Sequence, residues 1–200
     1  MITPPISREV FFASLGLIIS LIRYITYFRS MYRRETRPHI FSWFNWGLIT
    51  AIAATAQINL NGGPSAWVLC FVSGTCFFIA FLALFVGEKN ITRSDWATFL
   101  GALGTIPVWQ STSNPLYALL ILSFIDILSY FPTVRKSWND PANEDAFSWF
   151  LSGLRYFMAV LAIPAYTFQT LFYPFFLMSC DWAFTLYLYW RGHEMAKMTT

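Results

Sequence analysis

Charged residues are scarce in this sequence of 200 residues. Asp, Glu, Lys and Arg make up 12% of it, about half the share expected of a soluble globular domain. Hydrophobic residues account for 56% and aromatic residues for 20%, which is more apolar surface than one water-soluble core of this length could cover. The composition excludes an ordinary soluble domain and predicts an integral membrane protein whose partner is the lipid bilayer. Because the basic residues stand in short segments and form no basic face, nucleic acid is not an expected partner.

Residues that bind metals or perform covalent chemistry are also few. The cysteines Cys70, Cys76 and Cys180 are odd in number and lie in apolar stretches, so neither a disulfide framework nor a metal site is predicted. Both histidines, His39 and His193, fall at the boundaries of apolar stretches. The sequence also lacks HExxH, GxSxG and a glycine loop for phosphate. We therefore expect no enzyme, no metal and no cofactor.

Seven apolar stretches have about the length that a transmembrane helix needs, roughly 20 residues. Short segments rich in Gly, Pro and Asn separate them, and these residues end helices or favour turns. We predict an all-α membrane protein that forms one domain over residues 1–200. The predicted spans lie near residues 9–30, 40–58, 65–87, 95–110, 115–133, 146–164 and 168–190.

The basic residues outside these spans or at their ends fall almost entirely on one side of the membrane if the spans alternate. Cytoplasmic loops are enriched in Lys and Arg, so we predict the N-terminus outside and the C-terminus in the cytoplasm, in a plasma or inner membrane. All three lysines lie in loops or the tail, which excludes a retinal protein, since that class needs a lysine in its last helix. The cytoplasmic group comprises Arg29, Arg33, Arg34, Arg37, Lys89, Arg93, Arg135, Lys136, Arg191 and Lys197, against Arg8 alone on the other side.

Two parts of the sequence repeat each other. The segments ISLIRYITYFRSMYRR and LSFIDILSYFPTVRKS share Ser, Ile, Tyr and Phe at positions 103 residues apart. The next predicted helices both open with Phe-Ser-Trp-Phe, at 41–44 and 147–150, and continue to Gly47 and Gly153. One helix lies between the repeats, so both have the same orientation in the membrane. We predict two parallel three-helix bundles, 9–87 and 115–190, joined by a linking helix at 95–110.

This pattern resembles the PQ-loop and SWEET transporter superfamily over nearly the whole chain. The most specific segment is YFPTVRKS at 130–137, followed by Phe-Ser-Trp and Gly153, which matches the family's proline, basic residue and Ser-containing second helix. The sequence departs from the family at Thr133, where the family has Gln, and at Arg29, which replaces the first-half proline. The resemblance implies the 3+1+3 arrangement and leaves Pro132 as the hinge.

The resemblance also implies an alternating-access carrier or facilitator of a small polar solute, with a sugar as the first expectation. A vitamin or amino-acid carrier of the same fold is an alternative. A second alternative is a sorting receptor or assembly factor, as the KDEL receptors are within this fold group. The expected partner is thus a small-molecule solute, and assembly as a homo-oligomer is left open.

Four charged residues fall well inside predicted spans, away from the span ends, namely Arg23, Asp126, Arg155 and Asp181. Each costs roughly 2.5 to 3.5 kcal/mol at the centre of an isolated inserted helix, so we expect them to face the bundle interior. Arg23 and Asp126 are equivalent in the repeat, since 23 plus 103 is 126, and we expect them to lie at equal depth and to meet. Two interpretations stay open: the four residues bind solute or protons, or they form salt bridges that fix helix register.

Trp43, Asn45 and Trp149 complete the predicted solute site. The repeat places both tryptophans near the cytoplasmic ends of their helices, where they either stack on a ring-shaped solute or anchor the helices at the membrane interface. The resemblance implies that aromatic and Asn side chains line the pocket, which adds Asn45 and Trp46. Asn45 needs a hydrogen-bond partner inside a membrane helix, and a neighbouring helix would satisfy it as well as a solute would.

Overall fold

The structure, a computed structural model, describes residues 6–34, 38, 40–87, 92–111, 115–139, 141 and 144–198. Over these residues the chain forms seven helices and no β-strand, which confirms the all-α prediction. All seven helices begin within a few residues of the predicted starts, and α5 and α7 continue past the predicted ends. The helices are α1 (Arg8–Tyr32), α2 (Ile40–Asn59), α3 (Ser65–Val86), α4 (Arg93–Ser111), α5 (Pro115–Asn139), α6 (Ala146–Leu161) and α7 (Phe168–Met198).

Three of these helices are long and apolar enough to cross a membrane, judged by length and composition. They comprise Arg8–Tyr32, Ser65–Val86 and Phe168–Lys197. Large apolar side chains also cover the outer surface; Phe78, Phe81 and Phe85 of α3, for example, are each more than half exposed. Monomeric soluble proteins rarely expose contiguous apolar surface of this kind. Helix length and surface are therefore compatible with an integral membrane location.

Local sequence explains where several helices begin and how the chain reverses. The side chain of Ser7 caps α1 by accepting a hydrogen bond from the Val10 N–H, and Asp145 caps α6 in the same way, as N-cap residues typically do. Between α2 and α3, Gly63 adopts a φ of 57°, a left-handed conformation that favours glycine. A Cβ atom on Gly63 would lie 3.0 Å from Cγ of Pro164. The α2–α3 turn and the α6–α7 connection therefore touch.

Helices at equivalent positions of the two sequence repeats have equivalent neighbours. Within the first repeat α3 packs against both α1 and α2, and within the second α7 packs against both α5 and α6. Between the repeats α1 packs against α6, and α5 packs against α2. Helix α4 contacts α2 and α5, one helix from each repeat. These contacts follow the internal symmetry of the sequence, whereas α3 also packs against α6.

The glycine after each Phe-Ser-Trp-Phe motif supports the same helix contact in both repeats. A Cβ atom on Gly47 would lie 3.0 Å from the ring of Phe77 in α3, and a Cβ atom on Gly153 would overlap the indole of Trp182 in α7. The last Phe of each motif contacts this same ring, with centroid distances of 5.3 Å in the first repeat and 6.4 Å in the second. The repeated Gly is therefore a close-packing position between the second and third helix of each repeat.

Gly153→Ala is expected to destabilise the protein by about 1–3 kcal/mol, because overpacking forces neighbouring groups to move. The added Cβ would displace the Trp182 indole. The matched control is Gly74→Ala, where no atom lies within 4 Å of the new Cβ and alanine favours the helix. Thermal unfolding of the detergent-purified variants measures the difference. Equal unfolding midpoints for the two variants would contradict the close contact at Gly153.

Candidate functional site

A cavity of about 50 Å³ lies between helices α1, α2, α3, α5, α6 and α7. This volume holds a few water molecules. Six of the seven predicted substrate-binding residues line the cavity, while Asn45 is buried in α2 and is not part of the lining. The predicted residues that the structure brings together are Arg23, Trp43, Asp126, Trp149, Arg155 and Asp181.

Tyrosine hydroxyls and backbone oxygen hold the two cationic side chains. Arg155 donates from Nη1 to the Tyr24 hydroxyl (3.1 Å) and from Nη2 to the Tyr156 hydroxyl (3.2 Å). Its Nε atom is buried and has no hydrogen-bond partner among the described residues. Arg23 donates from Nε to the backbone oxygen of Ser148 (3.3 Å), and its guanidinium lies 5.2 Å from the Tyr24 ring centroid. These neutral partners orient both cations without neutralising them.

The two anionic side chains lie together on another part of the wall. Asp181 accepts a 2.7 Å hydrogen bond at Oδ1 from the Tyr130 hydroxyl, and the Ser152 hydroxyl lies near its carboxyl group. Asp126 interacts with the indole N–H of Trp46. The two carboxyl groups are close enough for their charges to repel. Within the described part of the chain, the Oδ2 atoms of both residues are buried and lack a hydrogen-bond partner.

The prediction that Arg23 and Asp126 meet is wrong. In the part of the chain that the structure describes, no nitrogen–oxygen contact within 4.0 Å joins any two of the four ionisable residues of the cavity. Equal depth in the repeat does not fix direction around the helix axis. Arg23 extends toward the start of α6, where it reaches the Ser148 oxygen, while Asp126 faces Trp46 and Asp181. The described residues therefore lack the salt bridges that the structural interpretation requires.

The two repeated tryptophans are cavity residues. Trp43 is 6% exposed and Trp149 is 9% exposed, so neither forms part of a lipid-facing aromatic belt. Trp43 packs against Tyr27 with a centroid distance of 4.9 Å, and Trp149 packs against Tyr130 at 5.6 Å. Tyr27 and Tyr130 are 103 positions apart, the repeat offset. The same Tyr–Trp pair therefore forms in both repeats.

Sequence reasoning missed the tyrosines that orient the charged groups. Tyr24 and Tyr156 each follow an interior arginine directly, as Arg23-Tyr24 and Arg155-Tyr156. The occurrence of Arg-Tyr in two spans was the available signal that a tyrosine accompanies each arginine. A phenol hydroxyl is a polar group that an otherwise apolar span can carry. Tyr130 donates to Asp181 and belongs to the repeated segment, but its pairing with a carboxyl group had no local sequence signal.

Some predictions concern residues that the structure describes only in part or not at all. Pro132, the predicted hinge, falls within the bounds of α5, and its side chain is outside the described set. Two residues of the cytoplasmic basic group, Arg37 and Lys89, lie outside the described residues. The hinge and these two positions in the charge count stay predictions.

No protein-family model, curated protein or solved structure matches this chain. The fold and the cavity define its class: an all-helical protein, compatible with a membrane location, with opposite charges buried around a small cavity. Two guanidinium groups can bind carboxylate or other anionic oxygens, and two carboxyl groups can accept hydrogen bonds from a cation. The arrangement therefore suits binding of a polar solute inside the helix bundle.

Proposed function

We propose that this chain is a seven-span membrane carrier of a small polar solute, with a SWEET-like 3+1+3 arrangement and its binding site in the central cavity. The observation that carries the proposal is the group of four buried ionisable side chains that form no ion pair with one another over the described residues. Ionisable residues within a membrane are costly and mark substrate or ion pathways. In a purely structural role, unpaired charges would only reduce stability.

Contacts at the helix ends support seven antiparallel crossings. Helices α2, α4, α5 and α6 are proposed to span the membrane together with the three helices that are apolar enough by themselves. If all seven helices cross the membrane, the starts of α1 and α7 and the ends of α2 and α6 lie at one face. The ends of α5 and α7 lie at the other face. Three hydrogen bonds each join two helix ends that would share a face: Arg8 Nη2 to Ile163 O (3.0 Å), Gln57 Nε2 to Thr170 O (3.0 Å) and Arg191 Nε to Trp138 O (2.9 Å).

Helix α2 carries two buried polar side chains. Asn45 and Gln57 are 2% and 1% exposed, so the bundle interior and not lipid surrounds them. Gln57 donates to the backbone of α7, and Ser73 of α3 donates to the Gly47 oxygen at 2.8 Å. Hydrogen bonds between helices of this kind are common in membrane bundles. The polar residues of α2 are therefore consistent with an interior membrane helix.

The paired packing of the two repeats supports alternating access. Each three-helix unit, α1–α3 and α5–α7, has its third helix between the other two, and the cavity lies where the units meet. Transporters built from repeats move one unit against the other around a central site. Helix α4 contacts both units, which fits the linking role proposed for it. The choice of a sugar as solute rests on the family resemblance and stays a prediction.

Uptake into proteoliposomes tests this function. We expect vesicles that contain the purified full chain to accumulate at least one labelled solute from a panel of a monosaccharide, a disaccharide, an amino acid and a nucleoside. Protein-free vesicles provide the background. Absence of uptake for every member of the panel, with protein that is folded and monodisperse, would contradict the carrier and favour a sorting receptor.

A further inference from the structure

We propose that the cavity binds a small zwitterion that carries one ammonium and one carboxylate group, as an α-amino acid does. Its carboxylate would lie against Arg155 and Arg23, and its ammonium group against Asp126 and Asp181. The inference rests on the proposed function, in which the cavity is the solute-binding site, and it adds the class of the solute. Its test can fail while the carrier function stands.

The cavity has a positive part and a negative part. Arg23 and Arg155 both lie over the ring of Tyr24, with guanidinium-to-centroid distances of 5.2 and 5.5 Å. Asp126 and Asp181 are close enough to repel each other. Arg155 attracts Asp181 across the cavity, although the two form no contact within 4.0 Å. Asp181 therefore interacts with charges of both signs, but neither arginine forms an ion pair with either aspartate in the described part of the chain.

This charge pattern distinguishes between kinds of solute. A neutral sugar compensates neither group of charges, and an ion of one sign compensates one group while the other stays buried without a counter-charge. Burying a charge without a partner is costly. A zwitterion compensates both groups at once, because its own charges are separated. The pattern therefore favours a zwitterion over a sugar.

The unused hydrogen-bonding atoms have matching chemistry. Arg155 offers a buried donor at Nε, Asp126 and Asp181 each offer a buried acceptor at Oδ2, and Tyr173 offers a hydroxyl that can donate or accept; none of these four atoms has a partner among the described residues. A carboxylate only accepts hydrogen bonds, while a primary ammonium group donates three. The carboxylate can accept a hydrogen bond from Arg155 Nε. The ammonium group can donate one hydrogen bond to each of the two Oδ2 atoms. A quaternary ammonium group has no N–H and would leave both acceptors unused.

The cavity size favours a solute of few atoms. About 50 Å³ holds a few water molecules, whereas sites for drug-sized ligands measure roughly 300–1,000 Å³. A disaccharide would require the helices to separate. Apolar side chains such as Val72 and Leu177 also line the cavity and provide contacts for a short aliphatic side chain. Glycine, L-alanine and γ-aminobutyrate are suitable probes of this class.

Calorimetric titration of the detergent-purified full chain tests the inference with related ligands. L-alanine carries both charges, L-alaninamide lacks the carboxylate, L-lactate lacks the ammonium group, and glucose has neither charge. We expect L-alanine to bind about 10-fold or more tightly than each of the other three, since hydrogen bonds to charged groups contribute enough for such a factor. Glycine betaine, which has no N–H donor, should also bind more weakly than L-alanine.

Variants assign each ligand group to its partner. Arg155→Gln should weaken the binding of L-alanine about 10-fold or more. The binding of L-alaninamide should be unchanged, because it has no carboxylate that could contact Arg155. Asp181→Asn should weaken L-alanine and L-alaninamide alike and leave L-lactate unchanged. Arg155→Lys, which keeps the charge, should retain part of the affinity and covers the case in which Arg155→Gln does not fold. Arg29→Gln, at an exposed position of α1, is the matched control and should bind like the wild type.

Three results would overturn the inference. One is no saturable binding of glycine, L-alanine or γ-aminobutyrate to folded protein. The second is binding of glucose or L-lactate at least as tight as that of L-alanine. The third is an equal loss for every ligand in Arg155→Gln, which a merely structural role would produce. Uptake of glucose without zwitterion binding would leave the carrier function intact, while zwitterion binding without uptake would support the inference and contradict the carrier.

Discussion

Asp126→Asn is expected to stabilise the protein while it decreases solute uptake about 10-fold or more, the factor that loss of one charged contact gives. Oδ2 of Asp126 is buried without a hydrogen-bond partner among the described residues, and the carboxyl group faces that of Asp181. The substitution removes this repulsion, keeps an acceptor oxygen for the Trp46 indole, and adds N–H donors beside Asp181. Relieving an unsatisfied buried polar group is worth about 1–3 kcal/mol.

A structural role for the same residue predicts the opposite sign. If Asp126 neutralised a buried arginine, its removal would cost about 3–5 kcal/mol, because the arginine would be left without a counter-charge. The unfolding midpoint of detergent-purified protein, measured together with uptake, separates the two cases. Asp145→Asn is the matched control, since Asp145 is an exposed N-cap of α6 and Asn caps a helix about as well as Asp. A lower midpoint for Asp126→Asn alone would contradict the solute-binding role.

If Asp126→Asn gains stability and loses uptake, the charges of the cavity serve function and not stability. Binding sites commonly hold groups that reduce stability in the absence of ligand. In this chain the reduction would come from Arg155 Nε and from the Oδ2 atoms of Asp126 and Asp181, which are buried and without partners in the described part of the protein. A bound solute would supply the missing partners.

The positions of the helices could be predicted from the sequence because hydropathy and turn residues act locally. The NGG segment before α3 and the Phe-Ser-Trp-Phe motifs at the starts of α2 and α6 each indicate an element boundary that the structure has. The repeat also matches a feature that was not predicted from it, since Gly47 and Gly153 occupy equivalent close contacts. Local signals therefore predict the elements, and the internal symmetry reappears in part of their packing.

The direction of each interior side chain could not be predicted in the same way. The repeat offset placed Arg23 and Asp126 at equal depth, but the partner of a long side chain depends on which helix approaches. Arg23 reaches α6 because α1 packs closely there; a Cβ on Gly16 would lie 3.3 Å from the Arg155 oxygen. Such an approach depends on contacts between residues far apart in the sequence. The same holds for the tyrosines that hold the arginines.

A disulfide between the α2–α3 turn and the α6–α7 connection should stop transport. Gly63 and Pro164 occupy these two connections, and a Cβ atom on Gly63 would lie 3.0 Å from Cγ of Pro164. Cysteines at both positions are thus close to the Cβ separation of roughly 3.5–4.5 Å that a disulfide needs. The two connections are equivalent in the repeats and lie at the end proposed to face outside. Alternating access requires the repeats to separate there, so the bond should hold that end closed.

Uptake by the double variant Gly63→Cys/Pro164→Cys tests the carrier mechanism most directly. The assay uses the solute that the wild-type protein accumulates, and each single-cysteine variant serves as a control for the substitution itself. We expect the oxidised, cross-linked protein to lose nearly all uptake and the reduced protein to recover it, while the uptake of each single variant is the same in both states. Wild-type uptake by fully cross-linked protein, verified by mass spectrometry, would contradict alternating access between the two repeats.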